Sequence, residues 1–186
     1  MHAQMAGEAL DELESALVGA SSVALSCLSP EELGEWLCDL QGLRARLDAL
    51  VCTSTSEAHH ASVQTTGGKR TVAAYVAANT SSDPKVIGAD RNLGLWLDAF
   101  YEFAEAFHAG VLTRRHVQAL RSVDNARTHT QRVKAPHYLV DSARNCGWAG
   151  FEQVLRYWVL AFVPDVDAPP AQVAARRLNV KKRVDG

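Results

Sequence analysis

The stretch SPEELGEWLCDLQGLRARLDALV, from Ser29 to Val51, constrains the fold of this chain more than any other feature. It opens with a helix-start pattern, because Ser29 can cap the backbone, Pro30 suits the first helical position and Glu32 completes a capping box. Apolar residues then recur at alternating spacings of three and four, which is the period of one helix face. We call this face the leucine seam, and it consists of Leu33, Trp36, Leu40, Leu43, Leu47 and Leu50. The pattern predicts one long helix that reaches about as far as His60.

Two uses of the leucine seam stay open. In the first, the long helix packs the seam inside a bundle formed by this chain. In the second, the seam pairs with a second copy, as in a coiled-coil homodimer. The first use predicts that residues of the seam are buried together with apolar residues of the later helices. The residues expected to be buried are Leu33, Leu37, Leu40, Leu47, Leu120, Val154, Leu155 and Trp158.

Helical patterns also dominate the rest of the chain. Helix-start signals recur at Pro84, Thr113 and Pro136, and glycines follow the ends of two periodic segments. The sequence therefore predicts an all-α protein, an irregular multi-helix bundle with one long N-terminal helix and a short strand-like C-terminal tail. We expect three regions: a short helix and linker over 1–28, a helical domain over 29–165, and a basic linker over 166–186.

Composition bounds the class of protein. Of the 186 residues, 47% are hydrophobic and 22% are charged, which is typical of a globular domain with its own core. The four cysteines show no CxxC spacing, so we expect reduced thiols and no zinc site. No basic, apolar leader and no apolar run of membrane-spanning length occurs. These features favour a cytoplasmic protein with no membrane partner, no cofactor, no metal and no small-molecule ligand.

Charge is distributed unevenly along the chain. Residues 1–60 carry ten acidic and two basic side chains, whereas residues 112–145 carry seven basic and two acidic ones. Cationic arrays on helices are how proteins hold phosphates. The candidate nucleic-acid-binding residues are Lys69, Arg70, Arg114, Arg115, Arg121, Arg127, Arg132 and Lys134. We expect Arg114, Arg115 and Arg121 to face outward, although the acidic first helices could instead neutralise these arginines within the fold.

Patterns typical of catalysis are missing from the sequence. There is no GxSxG or HExxH motif, and the seven histidines are scattered. His108 and His116 flank the turn at Gly110, where they could approach each other in a metal or catalytic role, but we expect ordinary surface or capping histidines. We therefore predict no catalytic residue in this chain.

Several of these segments together resemble the domain of unknown function 222 family, also called the 13E12 repeat family, which is common in actinobacteria. The resemblance runs from about Leu28 to Gly186 through TVAAYVAANTSSDPKVIGADRNLGLWLDAF, AFHAGVLTRRHVQAL and DSARNCGWAGFEQVLRYW. Its most specific element is Ala109 to Leu112 with His116 following. Tyr75 and Val76 stand where the family usually has Trp-Leu, and the Leu-Pro usual before the Gly110 element is missing.

The resemblance implies a helical fold and a position within a longer protein. Members of that family are commonly the N-terminal part of longer proteins that end in an HNH nuclease module, so the chain would be a helical module that binds or targets duplex DNA. The HNH motif has no counterpart here. The ending, with Lys181 to Arg183 before Asp185 and Gly186, reads as a strand entering a hairpin. We expect a fragment of a longer protein, with a mobile tail over 171–186. The alternative function is a structural or dimerising helical scaffold.

Overall fold

The computed structural model describes residues 2–125, 128–130, 132 and 136–162, and the predicted all-α class is confirmed: no strand occurs among them. The helices of this part are α1 (His2–Ser21), α2 (Pro30–His60), α3 (Val72–Asn79), α4 (Pro84–Leu97), α5 (Tyr101–His108), α6 (Arg114–Ser122), α7 (Pro136–Asn145) and α8 (Trp148–Phe162). Two short 3-10 helices, Leu25–Cys27 and Val63–Thr65, lie in connections. The strand-like tail predicted for the C-terminus lies outside the described residues.

The predicted helix starts are built from the expected side chains. At α2, the Glu32 carboxylate accepts hydrogen bonds from the backbone N–H and the hydroxyl of Ser29, at 2.8 and 2.7 Å. These bonds lower the pKa of Glu32. At α4, Asp83 caps the helix by accepting from the backbone N–H of Lys85, and Pro84 follows it. Local sequence therefore specifies where these helices begin.

The chain divides into two compact units, which we call unit 1 (Met1–Gln41) and unit 2 (Gly42–Gly186). The division falls within α2, whereas the sequence boundary was placed at residues 28 and 29. The predicted basic linker over 166–186 lies outside the described residues.

Unit 1 contains α1, a connection and the first part of α2. None of its described residues is buried. Apolar side chains of α1 are open to solvent, with Leu10 62% and Leu17 54% exposed. Residues 2–41 carry eight acidic side chains and no lysine or arginine. Unit 1 is thus an acidic helical segment with uncovered apolar surface.

Unit 2 contains the hydrophobic core. Phe103 and Phe107 of α5 are fully buried at its centre, and they belong to one cluster with residues of α6, α7 and α8. The other fully buried members of this cluster are Ala49, Cys52, Leu112, Val117, Leu120, Leu139 and Phe151. The predicted burial of Leu120, Leu155 and Trp158 is confirmed, whereas Val154 is only half-buried.

Within unit 2, α2 buries small residues and not leucines. Its buried residues are Ala45, Ala49, Cys52 and Ser56. A methyl group added to Gly94 of α4 would overlap the backbone of Cys52 and the side chain of Ser56, so the two helices pack at close range. Burial, together with the nearby carboxylate of Asp90, raises the pKa of the Cys52 thiol to about 12.

The expected burial of the leucines of α2 is therefore wrong in part. Leu37 and Leu47 are 53% and 43% exposed, and Leu33 and Leu40 are only half-buried. At about 100° per residue, the seam residues of unit 2 lie nearly opposite the small residues that α2 buries. The close packing at Gly94 admits only small side chains, so the leucines remain on the outer face.

Candidate functional site

The predicted basic residues of α6 do not form one open patch. Arg114 is half-buried, and its guanidinium pairs directly with the carboxylate of Asp90 on α4. A second carboxylate, that of Asp48 on α2, lies 4.0 Å away. The expectation that Arg114 faces outward is therefore wrong, because its charge is neutralised between helices of unit 2. The charge of Arg114 is thus neutralised within the fold, but mainly by α4, and the acidic first helices contribute only the more distant Asp48.

Arg132 is fully buried, and its polar contacts stabilise the interior of unit 2. Its guanidinium donates to the backbone carbonyl of Leu120 at 2.9 Å and to the hydroxyl of Thr128 at 3.0 Å. The carboxylate of Asp124 lies 3.2 Å away. Burial lowers the pKa of Arg132 and Asp124 opposes that shift, yet an arginine keeps its charge in such a site. Arg132 cannot reach a polyanion from this position.

Arg115 and Arg121 are the α6 arginines that solvent reaches. The guanidinium of Arg115 lies 3.9 Å from the centre of the Trp148 ring, which is a cation–π contact. Arg121 lines an open cavity of about 450 Å³ between α4 and α6. The other residues lining this cavity are Leu93, Trp96, Gln118, Ser122 and Asp124.

The remaining candidates divide into exposed and undescribed residues. Lys69 and Arg70 are exposed in the connection before α3. Among the residues that the structure describes, no carboxylate forms an ion pair with either of them. Arg127 and Lys134 lie outside the described residues. Of the eight predicted residues, four thus stay available to a polyanion in the described part: Lys69, Arg70, Arg115 and Arg121.

His116 is a structural residue in this fold. Its Nδ1 accepts a hydrogen bond from the backbone N–H of Thr113 at 3.1 Å, which completes a capping box at the start of α6. The ring is buried against Trp148 and Phe151, at 5.2 and 4.7 Å between ring centres. Burial, and then the neighbouring charge of Arg115, lowers the pKa of His116. His108 is engaged elsewhere, 2.9 Å from the hydroxyl of Thr53.

A serine, an aspartate and a histidine do meet in unit 2, but in the wrong order for nucleophilic catalysis. The Asp98 carboxylate accepts from the Ser56 hydroxyl at 2.8 Å and lies 3.1 Å from Nε2 of His60. A catalytic triad requires the imidazole between the hydroxyl and the carboxylate. Here the carboxylate is in the middle and Ser56 is fully buried, so the hydroxyl has no base and no access to substrate.

Metal clusters and membrane-spanning helices are both missing from the described part of the chain. Groups of three or more histidine, cysteine, aspartate or glutamate side chains that could hold a metal ion do not occur there. The helices of the same part include none with the length and apolar character needed to cross a membrane.

In the described part of unit 2, the leucine seam of α2 is exposed. Leu43, Leu47 and Leu50 are 58%, 43% and 47% exposed. The spacing of the seam predicted a shared helix face, but it could not predict that the core would take the opposite face. The small residues Ala45, Ala49 and Cys52, at spacings of four and three, were the signal that could have indicated this.

Comparisons of this chain with models of protein families, with curated proteins and with solved structures found no match. The geometry of the described residues is therefore the basis for assigning a function.

Proposed function

We propose that this chain is a cytoplasmic helical scaffold that dimerises through the leucine seam of α2. The observation that carries the proposal is the exposure of Leu43, Leu47 and Leu50 on the face opposite the buried residues of α2. Contiguous apolar surface of this kind marks interaction sites in proteins that expose it. A seam repeating at three and four residues fits a second helix by knobs-into-holes packing.

Burial of the seam would supply the free energy of association. Complete burial of a fully exposed leucine side chain stabilises a complex by about 1.5–3 kcal/mol, and Leu43, Leu47 and Leu50 are already about half covered, so each supplies about half of that. The six leucines from two copies would then contribute about 5–9 kcal/mol, which lies within the range of what two proteins lose in freedom on association. The seam residues of unit 1, Leu33, Trp36 and Leu40, add to this surface because each keeps part of its side chain exposed.

Sedimentation velocity over a wide range of protein concentrations tests the proposal. The parent chain should sediment as a dimer at high concentration and dissociate on dilution. The double variant Leu43→Glu/Leu47→Glu should shift the dissociation constant upward by at least about a hundredfold, because four charges would enter the interface.

The matched control is Leu160→Glu, which places the same charge at an exposed leucine of α8. It should leave the dissociation constant unchanged. A parent chain that stays monomeric at every concentration, or a dimer that ignores the double substitution, contradicts the proposal.

A second function, binding of duplex DNA by a module associated with an HNH nuclease, is favoured by the exposed cations. Arg115 and Arg121 lie on α6, and Lys69 and Arg70 precede α3. Because a phosphate contact displaces counterions, each arginine that holds a phosphate contributes about one unit to the salt dependence of binding. The family resemblance supports this second function and its HNH context, which remain proposals.

Gel-shift titrations with duplex DNA at several salt concentrations test this second function. Replacing both Arg115 and Arg121 with alanine should lower the affinity and reduce the salt slope by about two. Arg144→Ala provides the control, since Arg144 is exposed but pairs with Asp141. If the parent chain does not bind duplex DNA at low salt, or if the double variant binds like the parent, the DNA proposal fails.

A further inference from the structure

The charges along the outer surface of α2 change sign where unit 1 meets unit 2 in the sequence. Before Gln41, the exposed charged residues of α2 are all acidic: Glu31, Glu32, Glu35 and Asp39. After it, Arg44 and Arg46 are exposed beside the seam, whereas Asp48 is half-buried near Arg114 and the exposed Glu57 lies beyond the last seam residue. In the described part of the chain, neither Arg44 nor Arg46 forms an ion pair with a carboxylate. The leucine seam is thus flanked by acid in unit 1 and by base in unit 2.

We propose that two copies of this chain associate with their α2 helices antiparallel, so that the acidic half of each seam lies on the basic half of the other. This inference rests on the dimerisation proposed above and specifies its partner and orientation. The occupant of the leucine face is a second copy of this chain, and the interface is the same patch on both copies.

The spacing of the seam fixes a register for this arrangement. In an antiparallel pair, a seam residue of one helix faces the seam residue at the mirrored position of the other. With the centre between Leu40 and Leu43, Leu40 faces Leu43 of the partner copy. In the same register, Trp36 faces Leu47 of the partner copy and Leu33 faces its Leu50. All six seam residues of each copy then have apolar partners.

This register also pairs the charges that flank the seam. Asp39 and Arg46 precede Leu40 and Leu47 by one residue, so both lie on the same side of the seam. In the antiparallel register, Asp39 of each copy lies beside Arg46 of the other. Moving the register by one heptad in either direction would instead oppose two copies of Asp39 or two copies of Arg46. Charge therefore selects one register among those that the leucines permit.

A parallel, in-register pair is disfavoured by the same charges. Although it would also place Asp39 beside Arg44 of the partner copy, it would bring the two acidic segments of α2 together. Glu31, Glu32, Glu35 and Asp39 of one copy would then lie alongside the same four residues of the other. Like charges brought together in an interface suppress that arrangement.

A charge-exchange experiment on the full chain tests the orientation. The variants Asp39→Arg and Arg46→Glu should each weaken the dimer by about tenfold, because two attractive pairs at the rim become repulsive. An equimolar mixture of the two variants should dimerise with the affinity of the parent, since every facing pair is again opposite in sign. The double variant Asp39→Arg/Arg46→Glu should also recover the affinity of the parent.

The controls are Asp11→Arg and Lys69→Glu, which make the same charge changes at exposed sites outside α2. Neither should change the dissociation constant. In a parallel pair, Asp39 would face Arg44 of the partner copy, so Arg46→Glu would not weaken the dimer and mixing would restore nothing. That result overturns the antiparallel orientation while the dimer itself remains. A monomeric parent chain instead overturns both proposals.

Discussion

Unit 1 and unit 2 are both built from helices, but they differ in how many side chains those helices bury. Unit 2 buries aromatic and aliphatic residues of five other helices around Phe103 and Phe107 of α5, and two of its arginines, Arg114 and Arg132, pair with carboxylates inside the fold. Unit 1 has a helix of twenty residues, His2–Ser21, and yet it buries no described residue. The difference shows that helical periodicity predicts an apolar helix face. It does not predict whether other residues of the same chain bury that face.

The largest effect expected inside unit 2 comes from removing its buried charge. Arg132→Ala should lower the free energy of unfolding by about 3–5 kcal/mol, because it leaves the Asp124 carboxylate without its guanidinium and opens space beneath Leu120. Urea unfolding followed by circular dichroism measures the loss. Arg156→Ala, at an exposed position of α8, should change stability by less than about 0.5 kcal/mol. A small loss of unfolding free energy for Arg132→Ala would contradict the structural role of Arg132.

The contrast between the units is tested directly by one substitution in each. Leu120→Ala in unit 2 should cost about 2–5 kcal/mol, because Leu120 is fully buried and its removal leaves a cavity. Leu17→Ala in unit 1 should change the stability of the monomer by less than about 0.5 kcal/mol, since Leu17 is 54% exposed. Unfolding curves recorded at low concentration give both values. Equal losses would remove the distinction between the two units.

A smaller effect is expected where α4 approaches α2. Gly94→Ala should cost about 1–3 kcal/mol, because the added methyl group has no space against Cys52 and Ser56. Gly88→Ala is the matched control in the same helix, where nothing lies within 4 Å of the added carbon. It should stabilise the protein by up to about 1 kcal/mol through helix propensity. If Gly94→Ala is neutral, the close packing does not exclude larger residues from α2.

The smallest effect concerns pH and His116. Because burial lowers the pKa of His116 below its ordinary value of 6.5, the unfolded chain binds the proton more tightly than the folded chain. The stability that depends on a neutral His116 is fully present above about pH 6.5. It is lost as the pH falls below that value, because the unfolded chain then takes up the proton first. His116→Gln can keep the capping box and should show a shallower loss of stability between pH 7.5 and pH 5.5. An identical pH dependence in the parent and the variant would exclude His116 as the cause.

Local features of this protein were predictable from sequence, and long-range pairings were not. Ser29 with Glu32, Asp83 before Pro84, and the Thr113 cap each act within one helical turn, so their spacing identifies them. The all-α class followed from periodicity for the same reason.

The pairings of Arg114 and Arg132 were not visible in the same way. Arg114 and Asp90 lie on different helices, and nothing in the sequence marks them as partners. Arg132 pairs with Asp124 across a segment whose basic composition suggested an open, phosphate-binding surface. Four of the eight candidate residues therefore remain exposed in the described part of the chain. Gly110 has a structural role, because it has a positive φ and lies against Gly42 and Arg46.

The small residues on the inner face of α2 have a consequence for how this surface can change in evolution. Because α2 buries small residues such as Ala49, Cys52 and Ser56, substitutions at Leu43, Leu47 and Leu50 on its exposed face should leave the packing of the core unchanged. Changes on this face should therefore cost less stability than changes at the buried positions of the same helix. The same separation makes α2 a convenient place for an engineer to install a new binding specificity while the remainder of unit 2 stays as it is.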